Sequence, residues 1–133
     1  MELSVQDILA INNLINRYGH IIDERQWSRL GELFTDEVMF DMSDFNGEVL
    51  NGLETLIESW KALDGHPLAH HATNILIEVI EDEITVLSKG IGMYRDRTGS
   101  TVYRDVLRKT SDGWRISRRI ATKRRYETIP EPS

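Results

Sequence analysis

Few residues in this chain have the type and spacing for chemistry. There are four histidines and no cysteine, which excludes disulfides, thiolate metal sites and cysteine nucleophiles. Asp23 closes a run of helical periodicity, where the macrodipole disfavours a carboxylate by a few tenths to ~1 kcal/mol. Placement against local preference makes it a functional candidate, although Glu24 beside it also suits an ordinary solvated helix end. His66, His70 and His71 look like a metal cluster, but Pro67 stops one helix from carrying His66 and His70 on a shared face. On a strand, His70 and His71 point to opposite sides. With no further ligand at suitable spacing, no metal site is expected. A pocket histidine is suited to moving protons, and a hydrogen-bonded structural histidine is the equal rival reading. His20 lies outside the apolar stripe of its helix and reads as a surface residue. Tyr18 lies within the stripe, so its hydroxyl needs a partner that a pocket could supply. Arg119 must meet an anion or a substrate oxygen if it faces inward, because an unpaired buried charge is too costly. If it faces outward it is one more surface charge.

The elements that must position these residues are legible from periodicity. Ser4 is a candidate N-cap with Asp7 three residues on, an acidic variant of the capping box. Ile8, Ile11, Ile15, Tyr18 and Ile22 follow at spacings of three and four, widened by Leu14, and predict one buried helical stripe. Residues 26–34 predict a second, short helix with Trp27, Leu30, Leu33 and Phe34 inward, broken by Thr35-Asp36. Val38, Phe40 and Met42 alternate with polar neighbours as a first strand, and Asn46-Gly47 predicts a turn into a brief strand from Glu48 to Leu50. A third helix is expected from Leu53 to Leu63, carrying Leu56, Ile57 and Trp60, with Gly65 and Pro67 past its end. Strands are expected near 69–80, 84–96, 101–110 and 113–125, joined by short polar turns as consecutive hairpins. Gly90 and Gly92 inside one strand suggest a bend or bulge. Helices followed by a long curled sheet is the α+β pattern, one domain over residues 1–126 with a tail from 127 to 133.

Bulk properties narrow the function. A formal net charge of −6 argues against generic nucleic-acid binding. The late basic cluster Arg115, Arg118, Arg119, Lys123, Arg124 and Arg125 reads as a solvated strand face rather than a phosphate patch. No apolar stretch approaches the roughly 20 residues needed to cross a bilayer. The start lacks a signal-peptide pattern, so a cytoplasmic location is the default expectation. Gly-rich phosphate loops, the Gly-x-Ser-x-Gly elbow and the dinucleotide fingerprint are absent, which removes nucleotide-dependent and serine-hydrolase chemistry.

Tyr18 to Asp23 with Glu24-Arg25-Gln26-Trp27, Leu33-Phe34-Thr35-Asp36-Glu37-Val38, Gly52, His70-His71-Ala72-Thr73-Asn74, and Asp112-Gly113-Trp114-Arg115-Ile116 leading to Arg119 occur in a characteristic order and spacing. Over nearly its whole length the chain resembles the SnoaL-like branch of the nuclear-transport-factor-2-like superfamily. Within it, the chain is most similar to the scytalone dehydratase and hexachlorocyclohexane dehydrochlorinase group. That resemblance implies a cone-shaped α+β barrel, three helices packed on a strongly curved, mixed but mostly antiparallel sheet. It further implies a histidine base on His70 oriented by Asp23, a leaving-group arginine at Arg119 and a cavity-wall tyrosine at Tyr18. Phe40, Trp60, Asn74 and His71 are expected to border the substrate. A small-molecule substrate, no metal or other cofactor, and a homodimer or homotrimer complete the implication.

One pattern conflicts with that assignment. Simple alternation places His71 with Thr73, Ile75, Ile77 and Val79, an apolar set, and sends His70 to the side of Asn74 and Glu78. Either the isoleucine-rich side is an oligomer interface, or a bulge shifts the parity of the strand; His71 is otherwise the rival base. Three functions fit the residues: a cofactor-independent lyase or isomerase, a SnoaL-type polyketide cyclase, and a non-catalytic module like the small β subunit of ring-hydroxylating dioxygenases.

Overall fold

The computed structural model describes residues 2–133. Helix α1 (Val5–Asp23) starts from a complete capping box, Ser4 and Asp7 each accepting the other's backbone N–H. Its stripe is buried from Ile11 through Leu14, Ile15, Tyr18, Ile21 and Ile22, while Ile8, one turn earlier, stays 41% exposed. The Asp7 carboxylate also accepts from Trp114 Nε1 (3.1 Å) and Lys109 Nζ (3.2 Å), which pins the start of the helix to the last hairpin of the sheet. These donors and the Ser4 cap, the latter first, hold the Asp7 carboxyl far below the usual carboxylate range.

A 3-10 helix (Trp27–Glu32) follows, shorter and tighter than the helix expected over 26–34. The sheet claims its last residues: Ile116 donates its backbone N–H to the Leu33 carbonyl at 2.7 Å, and Phe34 already belongs to strand β1 (Phe34–Met42). The expected turn at Asn46-Gly47 is preceded by one helical turn, α2 (Ser43–Asn46). The Asp41 carboxylate holds it by accepting from the Ser43 backbone N–H at 3.0 Å and hydroxyl at 2.6 Å, and Gly47 ends it at φ 80°, a conformation that glycine adopts without penalty. Strand β2 (Glu48–Asn51) and helix α3 (Leu53–Ala62) come next, α3 burying Leu56 and Trp60.

Strands β3 (Ala69–Ile80), β4 (Glu83–Met93), β5 (Thr98–Thr110) and β6 (Gly113–Lys123) form three hairpins in sequence. The six strands make one sheet of order β2-β1-β6-β5-β4-β3. All pairings are antiparallel except β1 with β6, which is parallel. The result is a mixed α+β architecture, helices packed on the concave face of the sheet. Among the described residues no helix is long and apolar enough to cross a membrane.

The expected bulge at Gly90 and Gly92 does not occur there; β4 keeps an unbroken register with β5. It lies on the neighbouring strand instead. The β3–β4 register shifts between Thr73 and Leu76, and Asn74 takes φ 54°. This bulge flips the parity of β3. Beyond it Ile75 and Ile77 pack on the core, while before it His70 faces the same side. The conflict between His70 and the isoleucine pattern is thereby resolved.

Candidate functional site

Cross-strand register arranges the concave face in rows, because directly paired residues share a side. One row runs Phe40, Arg119, Asp105, Val86 and Ile77; the next holds Ala121, Tyr103 and Ser88. Farther along the strands, Gly99, Gly92 and His70 align. The two glycines place no side chain beside His70, and a cavity of about 430 Å³ opens there. Its inner wall is aromatic, with Tyr18, Phe40, Trp60 and Tyr103 joined through edge-to-face contacts at 5.1–6.3 Å between ring centres. That volume suits a small organic molecule.

Asp23 pairs with His70, which lines the cavity. Asp23 Oδ1 lies 2.6 Å from His70 Nδ1, and Asp23 Oδ2 accepts the His70 backbone N–H at 3.0 Å. Both side chains are largely buried, with 20% and 15% exposure. A carboxylate only accepts, so Nδ1 is the nitrogen that carries the proton toward Asp23, and in the neutral form of the ring Nε2 is the unprotonated one. Among the described residues Nε2 has no protein hydrogen-bond partner, and the ring lines the cavity. The close approach of α1 to β3 depends on Gly19: a Cβ there would lie 2.8 Å from the His70 carbonyl oxygen.

The remaining expected residues divide into two groups. Tyr18, Phe40 and Trp60 line the cavity. Burial pushes the Tyr18 phenol well above its ordinary 10, so it is a proton donor at neutral pH. His71 and Asn74 do not line the cavity, correcting the expectation for both. Pleating turns His71 to the outer face beside Ile91, and Asn74 is the exposed residue of the bulge. Arg119 does face inward but is walled off from the cavity, 1% exposed, with its Nε and Nη2 donating to the two Asp105 oxygens at 2.7 and 2.8 Å. Its guanidinium lies 4.3 Å from the Tyr18 ring centre and 4.2 Å from that of Tyr103. Burial alone would lower Arg119, but the Asp105 charge outweighs it and holds the guanidinium above its ordinary value. The three mid-chain histidines do not converge: His66 donates from Nε2 to the Trp60 carbonyl at 2.9 Å and stacks near Trp27.

Three participants escaped the sequence reading. Gly19 has no signature beyond its type. Tyr103 shares a face with Asp105 and Leu107, a clue in the alternation of β5. Asp105 opposite Arg119 could not be counted back from the Thr110–Gly113 turn, because a register shift between Val106 and Leu107 moves the pairing by one residue.

Comparison with known proteins adds the family. The SnoaL-like domain model matches residues 3–120. The chain belongs to the SnoaL-like family. An uncharacterised protein of Mycobacterium tuberculosis is 29% identical to this SnoaL-like chain over 129 residues, 90% of this chain and 86% of the relative. A cystatin-like protein of unknown function from Nostoc punctiforme superposes with a TM-score of 0.80 at 23% identity, covering 95% of this chain and 97% of the other. A candidate scytalone dehydratase from Novosphingobium aromaticivorans gives 0.71 at 17% identity, with 91% and 86% covered. At these identities both structures speak for the fold alone, a cystatin-like, nuclear-transport-factor-2-like α+β architecture.

Proposed function

We propose that this SnoaL-like domain is a cofactor-independent lyase or isomerase of the dehydratase type, acting on a small, largely apolar hydroxy or carbonyl compound. The observation that carries the reading is the 2.6 Å Asp23–His70 pair, whose imidazole lines the cavity. His70 Nε2 takes a proton from the carbon next to a carbonyl, and the C–H electron pair moves into an enolate. The Tyr18 hydroxyl donates to the enolate oxygen, where a fixed donor acts on charge that develops during reaction. In elimination the enolate expels hydroxide from the adjacent carbon. The imidazolium returns its proton to that oxygen, releasing water and leaving a C=C bond conjugated with the carbonyl. In isomerisation the same proton returns to a different carbon. Either cycle ends with His70 neutral. The Asp23 carboxylate fixes the tautomer and opposes the positive charge of the transient imidazolium.

Arg119 acts as a positioning residue in this reading. Its contacts are with Asp105 and the faces of Tyr18 and Tyr103, so its effect on a departing group passes through the tyrosines. The test is a screen of β-hydroxy carbonyl compounds for water loss, with wild type and His70→Ala compared. A positioned base contributes roughly 10²- to 10⁴-fold, so water loss in His70→Ala at the wild-type rate would remove His70 as the base.

We infer as well that two copies associate through the outer face of β3 and β4. Leu76, Ile80, Leu87, Ile91 and Met93 are 38–51% exposed there, an apolar surface over the edge strand β3 and its neighbour β4.

A further inference from the structure

We propose that the molecule entering this cavity carries an anionic group, a carboxylate or its equivalent, held at the mouth by Lys123 and Arg124 while its apolar body lies against the aromatic wall. The inference rests on the cavity being the functional site and specifies its ligand class. The chain as a whole is acidic, with 22 Asp and Glu against 16 Lys and Arg. The cavity reverses that balance: Arg97, Lys123, Arg124 and Arg125 line it against the single carboxylate of Asp64.

The four cations are not equally free. Arg125 donates to the Asp44 carboxylate at 2.9 and 3.1 Å and to the Asp44 carbonyl at 3.1 Å. Arg97 contacts Asp96 at 3.2 Å and covers the Tyr94 ring. Lys123 and Arg124 have no carboxylate partner among the described residues. The Asp44 carboxylate bound by Arg125 also accepts the backbone N–H of Lys123 at 2.7 Å and feels the Lys123 charge without an ion pair forming, while the Lys123 ammonium sits 5.1 Å from the Phe45 ring centre. Arg124 is fixed by its backbone, donating to Ser100 at 2.9 Å, which joins the end of β6 to the start of β5 at the cavity edge. The arrangement is therefore built rather than frayed. Two exposed cations without ion pairs are carried on backbone held by hydrogen bonds, at the lining of a largely aromatic chamber that His70 also lines. An amphipathic acid matches both halves, and a neutral ligand of the same shape uses only one.

The test measures binding, so it is independent of turnover. Quenching of tryptophan fluorescence, with Trp60 in the cavity wall, reports titration with 3-phenylpropanoate and with its neutral isostere 3-phenylpropanamide. The acid should bind roughly five- to tenfold tighter than the amide at low salt, the range expected for two partly exposed ion pairs. The advantage should shrink with added salt. Lys123→Gln with Arg124→Gln should abolish it, bringing the acid's affinity down to that of the amide measured on the same variant, and Lys123→Arg with Arg124→Lys should retain it. Equal affinities for acid and amide, no binding of either at millimolar concentration, or an acid preference that survives the double glutamine variant would each overturn the proposal. His70→Ala should keep the acid preference, so the fate of the catalytic reading is read separately from this one.

Discussion

At the scale of single residues, the account makes the Asp23–His70 pair functional and the Asp105–Arg119 pair structural. Asp23→Asn should cut activity by about 10²-fold or more, because an amide can hold Nδ1 in the wrong tautomer, while thermal unfolding stays close to wild type. Asp105→Ala should do the reverse in kind: it strands a guanidinium that is 1% exposed, and breaking one side of a buried pair costs about 3–5 kcal/mol. Chemical denaturation of that variant measures the loss. Replacing both partners with leucine and methionine should recover much of it, since the pair must also offset its own desolvation. The first pair was legible because helix periodicity ends at Asp23 and the family resemblance marks His70. The second was only half legible. Arg119 carried the question of what anion it would meet, and the register shift between Val106 and Leu107 concealed that the answer is Asp105.

At the scale of elements, two backbone features bring the site together, and each can be tested by one substitution. Gly19→Ala gains helix propensity, about 1 kcal/mol, but its Cβ would stand 2.8 Å from the His70 carbonyl oxygen. Helix α1 must then back away from β3. We expect activity to fall tenfold or more, with a stability change limited to about 1 kcal/mol because clash and propensity oppose each other. The bulge at Asn74 sets the parity of β3. Asn74→Gly should be tolerated at φ 54°, whereas Asn74→Val should destabilise by about 1–2 kcal/mol and disturb His70. Long elements with strong periodicity were legible from sequence: α1, with its stripe buried from Ile11 onward, and β3 over 69–80. Short ones were not. The segment after Trp27 has a helical pattern, but one backbone bond from Ile116 to Leu33 draws its end into the sheet. The glycines of β4 looked like a bulge and instead clear space, Gly90 for the Tyr103 ring and Gly92 for the cavity.

At the scale of the whole molecule, fold and function separate: the cone positions an aromatic chamber, and the side chains at its wall decide what happens there. The tie between the helix start and the last hairpin belongs to this scale. Asp7 has a folded carboxyl pKa below its ordinary 3.8, so it binds protons more readily when unfolded. The stability it contributes is present above about pH 4 and is lost as pH falls through the folded value. Asp7→Asn should flatten the acid side of a stability–pH curve. The exposed outer face of β3 and β4 predicts self-association, and Leu87→Lys should convert the associated form to monomer in sedimentation experiments. The central claim, proton transfer by His70, is tested most directly by deuterium. Small aryl β-hydroxy ketones are incubated in D₂O with wild type and with His70→Gln, and solvent label at the carbon next to the carbonyl, or water loss, is followed by NMR. The account predicts turnover in wild type and a drop of at least about 10²-fold in the variant at unchanged thermal stability. Label uptake in His70→Gln at the wild-type rate, or none in wild type across the series, would contradict it.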